Sequence, residues 1–259
     1  MEQPPRRFAP PLLSRRGDRI GKAPYTHEME TVLITGTNRG IGLELTRQYL
    51  KKQARVLAAC RAPETAKALS ELKQSNPETL QIHPLEATND QSVKTLVERV
   101  RNETIDVLIN NAGISGGEHQ DLRDMDYARW ALTLAVNTIS PFRVTVALLD
   151  NIRRSRKPRI ITLSSQLGSM LRPTSTGYYA YRSSKAAVNK VMQGLAVDLR
   201  SENIIVCPVH PGWVQTDMGG AKADLTVQES ASGLIRLIDR LELSDSGRFF
   251  KWNGEEHPW

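Results

Sequence analysis

A tyrosine and a lysine four residues apart could form a proton-donating pair in this 259-residue chain. Tyr181 and Lys185 lie in the run AYRSSKAAVN, and on a helix this spacing puts both side chains on one face. A free tyrosine has a pKa near 10, and a nearby ammonium lowers that pKa by favouring the phenolate. Such a tyrosine could give a proton to a reacting oxygen. The spacing is common, however, and a solvated surface pair explains it equally well.

A glycine-rich segment is a second candidate, as a site for a phosphate-bearing ligand. Residues 35–42 read TGTNRGIG and lie between a β-rich run, TVLIT, and a helical stretch at residues 43–52. Glycines let the backbone turn sharply towards a pyrophosphate, whose charge is attracted by exposed N–H groups and the helix dipole. The spacing is TGxxxGxG and not the general GxGxxG. On this segment alone, glycines that only punctuate a turn remain an equal explanation.

The elements that must position these residues follow a regular β/α alternation. Helix-length segments separate the apolar runs that predict strands, at residues 31–35, 55–59, 81–85, 106–110, 159–164 and 204–209. This alternation indicates an α/β fold with a parallel, doubly wound sheet and right-handed crossovers. Such sheets bind ligands beyond the carboxyl ends of their strands, and every candidate motif follows one of them. We therefore expect one site in a single-domain Rossmann fold.

Taken together, the motifs resemble those of the short-chain dehydrogenase/reductase family. They occur in the family's order and rough spacing, as TGTNRGIG, NNAG at residues 110–113, Asn137, Ser164–Ser165, YRSSK at residues 181–185 and Pro211–Gly212. The resemblance covers residues 29–259 and implies seven parallel strands and a nicotinamide cofactor. The segments HPGWVQTDMGG, AYRSSKAAVN and GRFFKWNGEEHPW are similar to the branch that contains C-factor and sniffer-type carbonyl reductases.

The resemblance also implies a catalytic set of asparagine, serine, tyrosine and lysine. Tyr181 would protonate the developing alkoxide, and Lys185 would lower the pKa of Tyr181 and hold the nicotinamide ribose. Asn137 would support a water that connects the lysine to solvent, although it could instead only cap or bend a helix.

The serine of this set has two candidates. Ser165 stands three residues before Gly168, as in the family's SSxxG pattern, and would bind the substrate oxygen; Ser164 is the alternative. Sixteen residues separate Ser165 from Tyr181, a few more than is usual in the family, and we expect the extra length in a loop at residues 171–176.

Charge predicts which nicotinamide cofactor is bound. In this fold an acidic residue at the end of the second strand binds the ribose 2′-OH of NAD, whereas a basic residue favours the 2′-phosphate of NADP. Here the strand ends in Arg61 without a carboxylate, and Arg39 lies in the glycine turn. Both could make charge-assisted hydrogen bonds to a phosphate, or be ordinary surface arginines. We expect NADP(H).

Further positions follow from the resemblance. The cofactor-binding residues it implies are Gly36, Asn38, Arg39, Gly40, Ile41, Gly42, Arg61, Glu86, Ala87, Asn111, Ala112, Gly113, Tyr181, Lys185, Pro211, Gly212, Val214 and Thr216. At Glu86 the family usually has aspartate, which leaves its contact with the adenine open. Residues 217–226 correspond to a mobile lid that is short and contains two glycines. We therefore expect an open pocket and moderate to broad carbonyl specificity.

Composition limits the alternatives. The longest apolar runs are four to six residues, far below the roughly 18 needed for a membrane span. Cys60 and Cys207 lie in separate segments without a CxxC or Cys/His cluster, so we expect no metal site and a reducing, cytoplasmic location. The net charge of +7 is dispersed along the chain, and aromatic residues make up 5%, which argues against a nucleic-acid partner.

Residues 1–28 differ in composition from the remainder. Five prolines and the pairs Arg6–Arg7 and Arg15–Arg16 predict a disordered extension. Met29 stands immediately before the first strand, so we expect the functional domain to be residues 29–259 and translation to start at Met29. Removal of residues 1–28 should then leave activity and melting temperature unchanged.

Two functions remain. The first is an NADP(H)-dependent oxidoreductase that reduces a small aldehyde or ketone, or oxidises the alcohol. The second is a dinucleotide-binding signalling protein of C-factor type, with incidental turnover. The complete catalytic set favours the enzyme, because a pure binder needs only the cofactor half. By resemblance we expect a homodimer or homotetramer paired through residues 127–151 and 178–201, although some carbonyl reductases are monomeric.

Overall fold

The computed structural model describes residues 29–171 and 176–259. The main sheet consists of β1 (Thr31–Thr35), β2 (Arg55–Cys60), β3 (Leu80–Pro84), β4 (Val107–Asn110), β7 (Arg159–Leu163), β8 (Ile205–His210) and β9 (Phe250–Lys251). A hairpin is formed by β5 (Gln120–Asp121) and β6 (Asp124–Met125). The α-helices of the described ranges are α1 (Gly40–Lys51), α2 (Lys67–Ser75), α3 (Asp90–Val100), α4 (Tyr127–Leu134), α5 (Ser140–Ala147), α6 (Leu149–Arg153), α7 (Tyr179–Asp198) and α8 (Val227–Arg240).

The main sheet is parallel throughout, in the order β3-β2-β1-β4-β7-β8-β9. The bounds of the six strands predicted from the sequence differ from the observed ones by one residue at most. The strand order reverses between β1 and β4, which opens a crevice at the carboxyl ends of these two strands. The predicted doubly wound α/β fold is therefore confirmed, and the candidate motifs lie along one edge of the sheet.

Each face of the sheet is covered by its own apolar layer. Successive side chains of a strand point to opposite faces, so Val32 and Ile34 of β1 join the layer that includes α1 and α8, whereas Leu33 joins the layer of α3, α5 and α7. All three side chains are fully buried. Burial on both faces explains why the strands read as continuous apolar runs without alternation.

The predicted long helix at residues 127–151 is interrupted. After α4 the chain makes a π-helical turn at Ala135–Ile139, and α5 ends before Leu148. Pro141 has no N–H to give to the carbonyl of Asn137, four residues earlier, so the regular bonding pattern cannot continue there. The wide turn carries Asn137, in keeping with the frequent use of such turns at functional sites.

Two predicted segments fall outside the described residues. These are the extension at residues 1–28 and residues 172–175 of the loop predicted at 171–176. Among the residues that the structure describes, no helix is long and apolar enough to cross a membrane. The same residues contain no group of three or more His, Cys, Asp and Glu side chains placed to hold a metal ion.

Candidate functional site

Three of the predicted catalytic residues meet at the end of β7. The hydroxyl of Ser165 is hydrogen-bonded to Tyr181, which lies in the first turn of α7. The ammonium of Lys185 lies 5.7 Å from the centre of the Tyr181 ring and donates to the carbonyl of Leu163, at 2.8 Å. A Cβ on Gly168 would lie only 2.7 Å from the carbonyl carbon of Lys185, so the absence of a side chain lets α7 approach the turn that follows Ser165.

The two neighbouring serines have different partners. Ser164 donates its hydroxyl to Oδ1 of Asn189 at 2.5 Å, inside the apolar layer. Ser165 begins a short 3-10 turn and accepts a hydrogen bond from the N–H of Leu167 at 3.1 Å while it contacts Tyr181. Adjacent residues of an extended chain point in opposite directions, so only one of the pair can face the tyrosine. That residue is Ser165.

Asn137 supports the loop that follows β4. Its amide donates to the carbonyl of Ile114 and accepts from the N–H of the same residue, both at 2.9 Å. It also donates to the hydroxyl of Ser184 in α7 at 3.0 Å, and the side chain is 1% exposed. The amide nitrogen therefore already has two protein partners. These contacts give Asn137 a visible structural role, and its link to a water is still a hypothesis.

Burial controls the protonation of the tyrosine and the lysine. Exclusion of water raises the pKa of Tyr181 above its usual value of 10.0, and the hydrogen bond with Ser165 opposes this effect. Burial also lowers the pKa of Lys185 from 10.5 to about 8. The sequence predicted a lowered pKa for Tyr181. The pKa is raised instead, because burial outweighs the opposing hydrogen bond with Ser165.

The glycine turn fits a ligand that contacts the backbone. Gly36 has a φ of +71°, which favours glycine, and a Cβ there would lie 2.9 Å from the Cα of Ala112. A Cβ on Gly42 would lie 2.3 Å from the carbonyl oxygen of Gly36. Asn111 fixes the turn by donating to the carbonyls of Thr35 and Gly36, at 2.7 and 3.0 Å. The first N–H groups of α1, which begins at Gly40, have no partner within the helix, and such groups are the donors that a pyrophosphate accepts.

The two arginines of the cofactor prediction differ in their contacts. Arg61 follows β2, is exposed and makes no hydrogen bond or ion pair with any other described residue. Arg39 forms an ion pair with Asp217, with 2.6 Å between Nη1 and Oδ2. Arg61 is therefore directly available to a phosphate, whereas Arg39 would first have to leave Asp217.

Glu86 turns towards the start of α3. Its Oε1 accepts hydrogen bonds from the hydroxyl and the N–H of Thr88, at 2.8 and 3.2 Å. The carboxylate thus stabilises its own loop, in the manner of an acidic residue in a turn. The carbonyl of the next residue, Ala87, accepts from Arg143 at 3.2 Å. A contact between Glu86 and an adenine stays a prediction. In the structure the carboxylate is already hydrogen-bonded to Thr88.

The segment after β8 is folded more tightly than a free lid. Gln215 and Leu225 pair through the backbone at 2.8 Å, so both ends of residues 217–226 are joined. Gly220 has open space around it, but a Cβ on Gly219 would lie 2.0 Å from the carbonyl oxygen of Val214. The predicted two-glycine hinge therefore has only one unpacked glycine. At the start of the segment, the methyl of Thr216 packs on Gly40, which places it beside the glycine turn.

Comparison with known proteins identifies the family. The sequence pattern of the short chain dehydrogenases matches residues 30–225. The chain belongs to the short-chain dehydrogenase/reductase family.

Relatives within this family include enzymes and a protein named for signalling. C-signal of Myxococcus xanthus is 46% identical over 155 residues, which are 60% of this chain and 93% of that protein. Among solved structures, the carbonyl reductase Sniffer of D. melanogaster is 32% identical with a TM-score of 0.84, over 90% of this chain and all of that one. The NADPH-bound carbonyl reductase from chicken fatty liver is 33% identical with a TM-score of 0.83, over 89% and 99%. The predicted likeness to C-factor and sniffer-type proteins is confirmed.

Membership makes the chain an oxidoreductase of a family that uses nicotinamide dinucleotides. One residue that supports such a site was not singled out from the sequence. The hydroxyl of Thr35, at the end of β1, accepts from the N–H groups of Asn111 and Ala112, each at 3.1 Å. This threonine opens the TGTNRGIG motif, so its position was the available signal, but its partners lie in the loop that follows β4.

Proposed function

We propose that this short-chain dehydrogenase/reductase is an NADP(H)-dependent carbonyl reductase that acts on small aldehydes or ketones, or oxidises the corresponding alcohols. The observation that carries the proposal is the meeting of Tyr181, Ser165 and Lys185 at the carboxyl end of β7. A proton donor, a hydroxyl and an ammonium converge there at the carboxyl ends of the strands, where this fold binds its ligands.

Residues of this chain would donate the proton and stabilise the charge that develops during the reaction. A bound nicotinamide cofactor would supply a hydride to the carbonyl carbon. Tyr181 gives its phenol proton to the carbonyl oxygen, and its raised pKa keeps that proton in place at neutral pH. Ser165, which is hydrogen-bonded to Tyr181, binds the same oxygen. Lys185, with a pKa of about 8, is mostly charged at pH 7 and stabilises the phenolate that remains.

The cofactor would lie across the crevice between β1 and β4. The backbone from Gly36 to Gly42 would hold the pyrophosphate, and the small residues Asn111, Ala112 and Gly113 would lie against the dinucleotide. Pro211, Gly212, Val214 and Thr216 would line its nicotinamide end. The preference for NADP rests on Arg61, which is exposed and unpaired among the described residues, together with Arg39 in the glycine turn. The NADPH-bound chicken relative supports this preference.

A row of exposed apolar side chains supports the association of this chain with further copies of itself. Leu132, Ile139, Phe142 and Val146 expose 43 to 50% of their surface on α4, the π-turn and α5. This apolar stripe supports a homodimer, or a homotetramer built on it, while a monomer would leave the stripe in water.

Both cysteines are buried and free, in keeping with a cytoplasmic location. We also propose that residues 29–259 are the functional domain.

A second function is favoured by one relative. The 46% identity to C-signal supports a dinucleotide-binding signalling protein in which turnover is incidental. A binder needs the glycine turn and Arg61 but has no use for a tyrosine that is hydrogen-bonded to a serine beside a buried lysine. The catalytic cluster therefore favours the reductase.

The decisive experiment follows NADPH absorbance with the purified full chain. The panel would contain aldehydes, ketones, quinones and 3-oxoacyl esters, and Tyr181→Phe is the matched control because it removes one oxygen. We expect turnover on several compounds that falls at least about 100-fold in the variant, with NADPH affinity retained. NADPH binding without turnover on any compound would favour the signalling function, and activity on one compound alone would contradict broad specificity.

A further inference from the structure

A buried glutamine joins the hairpin to the helix that carries the tyrosine. Gln120 lies on β5 and is only 2% exposed. Its Nε2 donates to the carbonyls of Ser115 and Gly117, at 3.0 and 2.7 Å. Its Oε1 accepts from the backbone N–H of Tyr181, at 3.2 Å. Both protons of the amide and its oxygen are therefore used, as a buried polar group requires.

The start of α7 needs an acceptor of this kind. The first N–H groups of a helix have no partner within the helix, and a side chain at the N-cap position usually satisfies one of them. Here the N-cap is Tyr178, which has a φ of +55° and makes no capping hydrogen bond with its side chain. Gln120 accepts from the third residue of the helix, the bond that an N-cap serine or aspartate would otherwise make.

Gln120 shares this arrangement with Asn137. Both amides hold the backbone of residues 114–117, Asn137 at Ile114 and Gln120 at Ser115 and Gly117. Both also reach α7, one at Ser184 and the other at Tyr181. The loop after β4 is thus fastened to the helix at two points one turn apart. The N-terminal point is the backbone of the tyrosine itself.

We propose that Gln120 is a positioning residue for Tyr181. By capping α7 from another segment, it fixes the first turn of the helix and so the place of the phenol relative to Ser165. The proposal rests on the catalytic role of Tyr181 given above. A shift of about 1 Å in a catalytic group can cost 100-fold in rate, so a loosened cap should reduce turnover before it reduces cofactor binding.

The test compares two buried amide side chains, Gln120 and Asn151, each of which donates hydrogen bonds to two backbone carbonyls. Gln120→Met removes all three bonds of Gln120 with little change in shape. The matched control is Asn151→Leu, because Asn151 is 2% exposed and donates to the carbonyls of Val100 and Glu103 at 2.7 and 2.8 Å, away from the site. We expect kcat of Gln120→Met to fall about tenfold or more and its pH profile to shift. The affinity for NADPH should stay within about twofold, and kcat of Asn151→Leu should stay near wild type. Equal kcat values for the two folded variants would overturn the proposal.

A second measurement needs neither a variant nor turnover. Amide hydrogen exchange of the wild-type protein should show the N–H of Tyr181 protected relative to the N–H of Tyr179, which has no such acceptor among the residues at 29–171 and 176–259. Equal, fast exchange at both positions would refute the capping contact even if Gln120→Met fails to fold. Absence of turnover in the wild type would count against the reductase function, whereas this exchange measurement tests separately whether Gln120 caps α7 at Tyr181.

Discussion

Arg39 and Asp217 form an ion pair of 2.6 Å although 178 residues separate them in the chain. Arg39 belongs to the glycine turn and Asp217 opens the segment after β8, so the pair links the two sides of the proposed cofactor site. The side chains are 69 and 74% exposed, and a pair this exposed stabilises by about 1 kcal/mol or less. A 2′-phosphate could therefore replace Asp217 as the partner of Arg39.

This competition predicts that Asp217→Asn tightens NADPH binding. With the carboxylate removed, Arg39 is free for the 2′-phosphate, and we expect the Kd for NADPH to fall by about two- to fivefold while that for NADH is unchanged. Fluorescence titration at low salt measures both constants. Asp224→Asn removes the same charge from the same exposed segment and is the control. Equal effects on NADPH and NADH, or an effect of Asp224→Asn as large, would contradict the competition.

The two serines should separate activity from stability. Ser165→Ala removes the hydroxyl that contacts Tyr181, and we expect kcat to fall about 100-fold with little change in melting temperature. Ser164→Ala leaves Oδ1 of Asn189 without its buried partner, and it should cost about 1 kcal/mol of folding free energy with kcat near wild type. Steady-state kinetics and urea denaturation of both variants test the assignment. The reverse pattern would make Ser164 the catalytic serine.

The buried ammonium of Lys185 should lower the free energy of unfolding by an amount that depends on pH. Burial lowers its pKa to about 8, a shift that corresponds to about 3 kcal/mol at neutral pH. The bond to Leu163 is worth about 1 kcal/mol, so Lys185→Met should be roughly 2 kcal/mol more stable at pH 7.

The sign of the pH effect on Lys185 follows from proton binding. Between pH 8 and 10.5 the unfolded chain keeps the lysine proton that the folded protein has released, so wild-type stability rises with pH. The advantage of Lys185→Met should shrink accordingly. Urea unfolding of both proteins at pH 7 and 9.5 measures it, and a difference that does not change with pH would refute the buried charge.

One glycine-to-alanine variant should weaken NADPH binding, and another should increase folding stability. A Cβ on Gly42 would meet the carbonyl oxygen of Gly36 at 2.3 Å, so Gly42→Ala should distort the glycine turn and weaken NADPH binding at least about tenfold. Gly194 lies in α7, and apart from its own stretch of helix no described residue comes within 4 Å of its Cβ position, so Gly194→Ala should stabilise by about 0.5–1 kcal/mol. NADPH titration and thermal unfolding test both. Unchanged NADPH affinity in Gly42→Ala would show that the glycine turn is not part of the cofactor site.

The apolar stripe predicts how copies of the chain associate. Phe142→Glu places a charge at the 44% exposed position within the stripe and should convert the proposed dimer to monomer, as measured by light scattering after gel filtration. Leu122→Glu is the control, because Leu122 is 84% exposed on the hairpin and lies outside the stripe. A wild-type protein that is already monomeric would disprove association through this stripe.

The sequence by itself determined the strands and most of the loops that follow them. The runs of β1 and β7 are apolar throughout because both of their faces are buried, and this pattern is visible without a structure. The glycine turn was also readable, since the positive φ of Gly36 and Gly40 favours glycine at those positions. The motif order was enough to indicate the family, which the comparisons confirm.

Only the tertiary structure decided properties that depend on distant segments. The motif favoured Ser165 and left Ser164 as an alternative, and the different partners of the two hydroxyls, Tyr181 and Asn189, are set only when α7 packs beside them. The pKa of Tyr181 is raised by burial under several elements, whereas its lysine neighbour alone predicted the opposite. Gln120 lies on a two-residue strand that has no periodicity to mark it. Hydrogen-bond partners and water exclusion are properties of three-dimensional proximity, and local sequence patterns do not carry that information.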